Sequence, residues 1–342
     1  MPRTDRLRLV SALPLLLLVT VGLGRLWGDA ASPGAEPGPA RYALAVIPKG
    51  TTHEFWKSIH AGAVQAAVET GVEIIWKGPL KEDDREAQIA EVENFISRGV
   101  DGIVLAPLDD TALRVPVMNA ARSGIPVVII DSDLKSRDHV SFVATDNYRG
   151  GQLAGKRMCE LLGHAGRVVM LRYQEGSAST MKREQGFLDA VSECGDIQVV
   201  SANQYGGATT ETAYRASENL LAPHKTAEGG LELEGIFCPN ESTTFGMLRA
   251  LQDAKLAGAV RFVGFDSSPK LIAGLRQGHL DGLVVQNPVR MGYLGVLTLV
   301  AHLDGETVEQ RVDTGVHLAT SQNMDQQEIR DLLQPELDRW LK

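Results

Sequence analysis

Residues 42–57 read Tyr-Ala-Leu-Ala-Val-Ile-Pro-Lys-Gly-Thr-Thr-His-Glu-Phe-Trp-Lys. The first six form a continuous apolar run of strand length, Pro48-Lys49-Gly50 interrupts it, and a helical pattern starts at Glu54. Phe55 and Trp56 stand in the first turn of that helix. A phosphate loop is excluded, because Lys49-Gly50-Thr51 has the wrong order and lacks the upstream glycine of G-x-x-x-x-G-K-[ST]. A zinc-protease helix is excluded as well: His53-Glu54 would need a second His at 57, where Lys57 stands. An aromatic and polar lip on one wall of a ligand cleft is the reading that survives.

The same alternation of short apolar runs with helix-length segments continues outward from this stretch. Helices are expected at Glu54–Thr70, Asp84–Arg98, Thr111–Ser123 (with Pro116 near its start or kinking it), Gly151–Leu162, Ser179–Val191, Thr210–Leu221, Thr243–Ala257, Pro269–Gln277 and Val289–Leu303. Strands are expected at Val72–Trp76, Gly102–Ala106, Val127–Ile130, Phe142–Thr145, Val168–Leu171, Gln198–Ser201, Gly235–Cys238, Arg261–Phe265 and Leu283–Gln286. Uninterrupted apolar strands separated by helices indicate parallel sheets covered on both faces. Counting Tyr42–Ile47, the strands outnumber the eight of a TIM barrel, the main competitor. The pattern therefore favours an α/β chain of two doubly wound parallel-sheet domains.

The first thirty residues are of another kind. Arg3, Arg6 and Arg8 precede an apolar segment from Leu9 to Leu23, followed by small residues around Gly28-Asp29-Ala30-Ala31, the order of a secretory signal peptide. The segment is short for a membrane span, so a cleaved leader is favoured over an uncleaved anchor. No cysteine lies near the cleavage region, which argues against a lipid anchor. Residues 31–40, rich in Pro and Gly, read as a disordered linker. The chain carries a formal charge of −9, and residues 1–30 hold four Arg and two Asp, which leaves −11 for the exported body. Such an acidic body does not suit nucleic acid. Cys159, Cys194 and Cys238 fit neither a disulfide framework nor a zinc motif. Buried free thiols are expected, with Cys159–Cys194 the pair that an oxidising compartment would allow.

In open parallel sheets ligands bind beyond the carboxyl ends of the strands. The residues there are Thr51–Trp56, Pro107-Leu108-Asp109, Asp131-Ser132-Asp133, Asp146-Asn147, Tyr173-Gln174-Glu175, Asn203-Gln204-Tyr205, Pro239-Asn240-Glu241, Asp266-Ser267-Ser268 and Gln286-Asn287, with Arg183 inside a following helix. Singly, Asp or Asn after a strand reads equally well as a helix N-cap. As a set, carboxylates, amides and aromatics suit a hydroxyl-rich solute. Each hydroxyl both donates and accepts, and ring C–H faces pack on Phe and Trp. Catalysis finds no support: the eight histidines are scattered, no G-x-S-x-G elbow precedes a helix, and no acidic run has calcium-loop or metal-site spacing. No cofactor and no metal are expected.

Over residues 41–320 the chain resembles the periplasmic sugar-binding proteins of bacterial ABC importers, of the ribose/galactose-binding type. The resemblance is carried by His53-Glu54-Phe55-Trp56, Gly124-Ile125-Pro126-Val127-Val128 leading to Asp131, and Thr145-Asp146-Asn147 before Gly150-Gly151. It continues in Arg183-x-x-Gly186-Phe187, Asn240 after Phe237-Cys238-Pro239, Val263-Gly264-Phe265-Asp266 and Gln286. It implies two α/β lobes, 41–145 plus 287–313 and 146–286 plus 314–342, joined by three crossovers near Asp146, Asn287 and Asp313. It implies a periplasmic, monomeric receptor that closes on a monosaccharide or small polyol and delivers it to an ABC transporter permease, with no enzymatic activity. By position the contacts would be Phe55, Trp56, Asp131, Arg183, Asn240, Asp266 and Gln286, with His53 and Phe265 beside them. The chain departs from the ribose-type pattern at Ala106-Pro107 (Asn there), Ser132 (Arg there) and His53 (Asn there), which leaves the sugar open. Tyr205-Gly206-Gly207-Ala208-Thr209 is a candidate for a compensating contact. Lactose-repressor-type regulators share the fold but carry a helix-turn-helix where this chain has a leader. A sugar sensor feeding a membrane kinase or chemoreceptor is the alternative function, and an exported enzyme a third.

Overall fold

The computed structural model describes residues 40–341; the leader read at 1–30, and the linker except Ala40, lie outside the described residues. The described strands form two six-stranded sheets. The first holds β1 (Ala43–Ile47), β2 (Glu73–Trp76), β3 (Gly102–Leu105), β4 (Val127–Ile130), β5 (Ser141–Ala144) and, from far along the chain, β11 (Arg311–Asp313), in the order β11-β5-β4-β3-β1-β2. The second holds β6 (Ala165–Arg172), β7 (Asp196–Tyr205), β8 (Gly235–Phe237), β9 (Arg261–Phe265), β10 (Gly282–Gln286) and β12 (Val316–Ala319), in the order β12-β10-β9-β8-β6-β7. Position by position the two orders match. Pairing is parallel except for β10 with β12. The expectation of two doubly wound parallel sheets therefore holds, and the single barrel does not.

Helices α1 (Glu54–Thr70), α2 (Arg85–Arg98), α3 (Arg114–Arg122) and α9 (Pro288–Leu303) flank the first sheet. Helices α4 (Asn147–Leu162), α5 (Ala178–Ser192), α6 (Thr210–Leu221), α7 (Glu241–Asp253), α8 (Pro269–Arg276) and α10 (Gln327–Leu333) flank the second. The strands are apolar on both faces because each face meets helices. Leu44, Val46, Val104, Val128 and Ile130 pack under α1 and α9, while their neighbours Ala45, Ile47, Ile103, Leu105 and Ile129 pack under α2 and α3. Each Val, Leu or Ile among them, fully buried, contributes roughly 1.5–3 kcal/mol. The second sheet repeats the arrangement, with Val168, Met170, Phe237, Val263 and Phe265 toward α4 and α5 and Val169, Leu171, Ile236 and Phe262 on the other face.

Two helix pairs approach closely through glycine. A Cβ at Gly62 of α1 would stand 1.9 Å from the Val289 carbonyl of α9, and one at Gly151 of α4 would stand 2.0 Å from the Arg183 carbonyl of α5. Gly186 answers Gly151 from the other side, at 2.1 Å from the Tyr148 carbonyl. The Cys159–Cys194 disulfide, with 6.0 Å between Cα atoms, ties α4 to the residue two beyond α5, and Cys238 remains a buried thiol. The sequence had favoured free thiols at 159 and 194; the α4–α5 packing brings them together.

The chain passes between the sheets at 145–146, at Asn287 and at 314–315. Two of these passages are tied side by side: Thr145 Oγ1 lies 3.3 Å from Thr314 Oγ1, and Asp146 N donates to Asp313 Oδ1 at 3.2 Å. Strands β11 and β12 and helix α10 escaped the sequence reading, being short and only partly apolar.

Candidate functional site

The carboxyl ends of both sheets face one another across a cleft, and the side chains beyond the strand ends meet there. His53, Phe55, Trp56 and Asp131 line it from the first sheet, and Arg183, Asn240, Asp266 and Gln286 from the second. Of the nine residues that the resemblance places at the ligand, Phe265 alone does not reach the cavity. It is fully buried as the floor beneath Arg183, whose guanidinium carbon lies 3.9 Å from the ring centroid, a cation–π contact.

On the second sheet the polar groups are fixed by one another. Arg183 donates through Nε to Asn147 Oδ1 at 2.8 Å and through Nη1 to the Pro239 carbonyl at 3.0 Å, and Nη1 stands 3.8 Å from Asp266 Oδ2. Asp266 accepts from Gln286 Nε2 at 2.7 Å and from the Glu241 amide at 3.0 Å. Burial raises the Asp266 pKa, while Arg183 and these donors work to lower it. Asn240 serves as the N-cap of α7, accepting from Thr243 N, and lines the cavity as well, so cap and site readings are both true of it.

The first sheet contributes two groups that the sequence reading passed over. Lys49, directly after β1, is 3% exposed; its Nζ stands 2.7 Å from Asp131 Oδ2 and donates to Ser132 Oγ at 2.6 Å and Ser179 Oγ at 3.1 Å. Glu82, from the charged run Lys81-Glu82-Asp83-Asp84, turns inward at 6% exposure. It accepts from the Trp56 indole and the Tyr173 hydroxyl, and His53 Nδ1 lies 2.7 Å from Oε1. Each follows the carboxyl end of a strand, Lys49 by two residues and Glu82 by six, and as a loop charge each reads from the sequence as solvated.

These contacts set the charges. Burial opposes protonation of His53, but the adjacent Glu82 carboxylate outweighs it and lifts the pKa to about 9. Burial likewise opposes ionisation of Glu82, yet His53 and Lys49 hold it down at about 2. Glu241 has no cation in contact. Burial, with Asp266 adding to it against the pull of His53, raises its pKa to about 7. Its carboxylate accepts the Phe55 amide at 3.3 Å across the cleft.

Seven lining residues lie outside the contacts that the resemblance implies; of these, Tyr173 and Glu241 belong to the strand-end set, while Lys49, Glu82, Ser177, Ser179 and Thr180 do not. Conversely, Asn203, Gln204 and Tyr205 do not reach the cleft: they continue β7 at the sheet edge, where Tyr205 is 41% exposed beneath Arg172. Thr209 caps α6. The compensating contact expected from 205–209 is absent from the cavity lining. The space left among the lining side chains is about 30 Å³, room for a water or two and not for a sugar ring. Among the described residues no group of His, Cys, Asp and Glu could hold a metal ion.

With two such sheets and a polar cleft between them, the chain has the build of a two-lobed binding protein. It matches the model of the periplasmic binding protein domain over residues 44–307 and belongs to that family. These are receptors and not enzymes. Among its relatives, the ribose import binding protein of Bacillus subtilis is 25% identical over 85% of this chain and 91% of its own length. The D-ribose/D-allose-binding protein of Pseudomonas aeruginosa is 28% identical over 83% and 90%. An ABC transporter solute-binding protein of Agrobacterium vitis, solved with bound D-fucose, is 37% identical, with TM-score 0.81 over 85% of this chain and 100% of that one. A carbohydrate transporter solute-binding protein of Agrobacterium radiobacter in complex with D-arabinose is 33% identical, with TM-score 0.81 over 86% and 100%.

Proposed function

We infer that this chain is an exported solute-binding receptor that captures a monosaccharide or similar small polyol between its lobes and delivers it to an ABC transporter permease. The carrying observation is the cleft itself. Asp131, Arg183, Asn240, Asp266 and Gln286 converge from both sheets on one cavity, with Phe55 and Trp56 at its side. One buried acceptor there, Gln286 Oε1, has no hydrogen-bond donor. A ligand hydroxyl would supply one, removing a cost of roughly 1–3 kcal/mol for the unsatisfied group.

Because the cavity holds only about 30 Å³, entry of a sugar requires the lobes, 41–145 plus 287–313 and 146–286 plus 314–342, to part at the three crossovers. Reclosure is favoured because the ligand touches both walls. No helix among the described residues is long and apolar enough to cross a membrane. The disulfide suits an oxidising compartment, in line with export by the leader read at 1–30 to the periplasm, where the receptor acts as a monomer. The test is a thermal-shift panel of pentoses, hexoses, polyols and nucleosides on the mature chain. A neutral sugar should raise the melting temperature in a dose-dependent way. A panel in which no sugar or polyol does so refutes the reading.

A further inference from the structure

Lys49 is the cleft residue whose presence the reading above does not explain. A lysine 3% exposed is rarely tolerated in a protein interior unless paired. Its ammonium is placed between Asp131, Ser132 and, across the cleft, Ser179. The contact with Asp131 Oδ2, at 2.7 Å, is a charge-assisted one. On the opposite wall the same pattern stands, with Arg183 Nη1 3.8 Å from Asp266 Oδ2. Beside that pair Gln286, whose Nε2 donates to Asp266, leaves its Oε1 unpartnered. Asp131 and Asp266 follow strands that occupy matching positions in the two sheets. The cleft thus holds two carboxylate–cation couples, one on each wall, the second with an open acceptor beside it.

We propose that Lys49 contacts the ligand directly and determines specificity, forming with Asp131 the couple that grips one end of a neutral polyol while Asp266 and Arg183 grip the other. This rests on the monosaccharide reading and sharpens it. A hydroxyl between a carboxylate and a cation donates to the first and accepts from the second, so each couple fixes one hydroxyl in position and orientation. The ligand's charge follows from the same pairing. Lys49 faces Asp131, His53 faces Glu82, Arg183 faces Asp266, and the lining group left over is the acid Glu241. No lining cation is left to neutralise a sugar acid or a sugar phosphate.

The experiment is calorimetric titration of the mature chain with D-ribose, D-allose, D-arabinose, D-fucose and D-galacturonate. The tightest ligand should be one of the four neutral sugars. Lys49→Met should weaken its binding at least thirtyfold and change the rank order among the four, because one hydroxyl loses its donor. Lys49→Arg should remain within tenfold of the parent. Lys49→Met with Ser132→Arg should recover most of the loss, since Ser132 Oγ lies 2.6 Å from the ammonium. Cooperative melting of each variant confirms folding. Binding of Lys49→Met within threefold of the parent, an equal loss for all four sugars, or tighter binding of D-galacturonate overturns the proposal. Asp266→Ala separates the two layers: if it abolishes binding while Lys49→Met does not, the sugar site stands and the role of Lys49 falls. Failure of all four neutral sugars to bind the parent removes both.

Discussion

Asp131 and Asp266, which end β4 and β9, both adopt left-handed backbone, with φ 61° and 66°. Each is held by its amide bonding to the strand alongside, Asp131 N to the Val143 carbonyl at 3.2 Å and Asp266 N to the Val284 carbonyl at 2.8 Å. Outside glycine this conformation costs roughly 1–2 kcal/mol, and Asp is among the residues that accept it. The strain turns each carboxylate off the strand axis into the cleft, in keeping with the clustering of such residues at functional sites. Asp266→Ala and Asp266→Gly should both lose ligand binding by more than a hundredfold. The glycine variant should be the more stable of the two by about 1 kcal/mol, because it lacks the Cβ that the backbone disfavours. Denaturant melts of the pair check this, and equal stabilities would refute the strain argument.

Phe55 and Trp56 are neighbours with different work. Trp56 is 2% exposed, packed into the first sheet's core with its indole bonded to Glu82, while Phe55 is half-buried. Trp56→Ala should therefore destabilise the fold by about 3–5 kcal/mol. Phe55→Ala should leave the melting temperature nearly unchanged and weaken sugar binding by roughly 1–2 kcal/mol. Melts and titrations on the two variants separate these effects.

The cleft acids and His53 give stability a definite slope with pH. His53, at about 9 against an ordinary 6.5, keeps its proton in the folded chain when the unfolded chain has lost it. Its contribution is complete below pH 6.5 and is lost as pH rises to 9. Glu241, raised to about 7 from 4.5, makes stability fall across that lower interval. Glu82, lowered to about 2, contributes above pH 4.5 and is lost below it. From these three groups the melting temperature should be highest near pH 4.5 and decline toward 9. His53→Gln should flatten the decline between 6.5 and 9, which amounts to at most about 3 kcal/mol.

The α4–α5 pair offers a packing test. Gly186→Ala would bring a methyl to 2.1 Å from the Tyr148 carbonyl, so the helices must separate, and the helix that moves carries Arg183. Both stability and sugar affinity should fall, the first by roughly 1–3 kcal/mol. Ala190→Gly on the same helix should cost stability by about 1 kcal/mol with little change in affinity.

Closing a loop of 35 residues between Cys159 and Cys194 constrains the unfolded chain, a stabilisation of about 3–4 kcal/mol in the chain-entropy view. The Cys159→Ala, Cys194→Ala double variant should melt lower than the parent in denaturant by about that amount. The parent should lose a similar amount when reductant is added, and Cys238→Ala, which leaves the bond intact, should lose it too.

The strands, the flanking helices and the cleft-facing aspartates were readable because apolar runs between helices repeat without interruption, and strand ends in such sheets face ligand. Even Glu54–Thr70 and Thr210–Leu221 fall on their sequence-derived limits. Lys49 and Glu82 were not readable in the same way. A charged side chain in a loop looks solvated until the opposite wall is known, and both are buried by residues more than ninety positions away, Ser179 and Tyr173 among them. Tyr205 erred in the other direction: β7 runs ten residues, past the point where its apolar pattern ends, and carries the aromatic along the sheet edge.

Glycine contact and disulfide together fasten α5 to α4, and Arg183 sits at the first of these fastenings, its carbonyl against Gly151 and its guanidinium bonded twice to protein. One wall of the cleft is therefore held by its helix packing, while the other presents Lys49, a long side chain whose ammonium is held by Asp131, Ser132 and Ser179. Changes in selectivity between related receptors of this build should accumulate on that wall, where a side chain can be exchanged without disturbing the backbone that holds its partner.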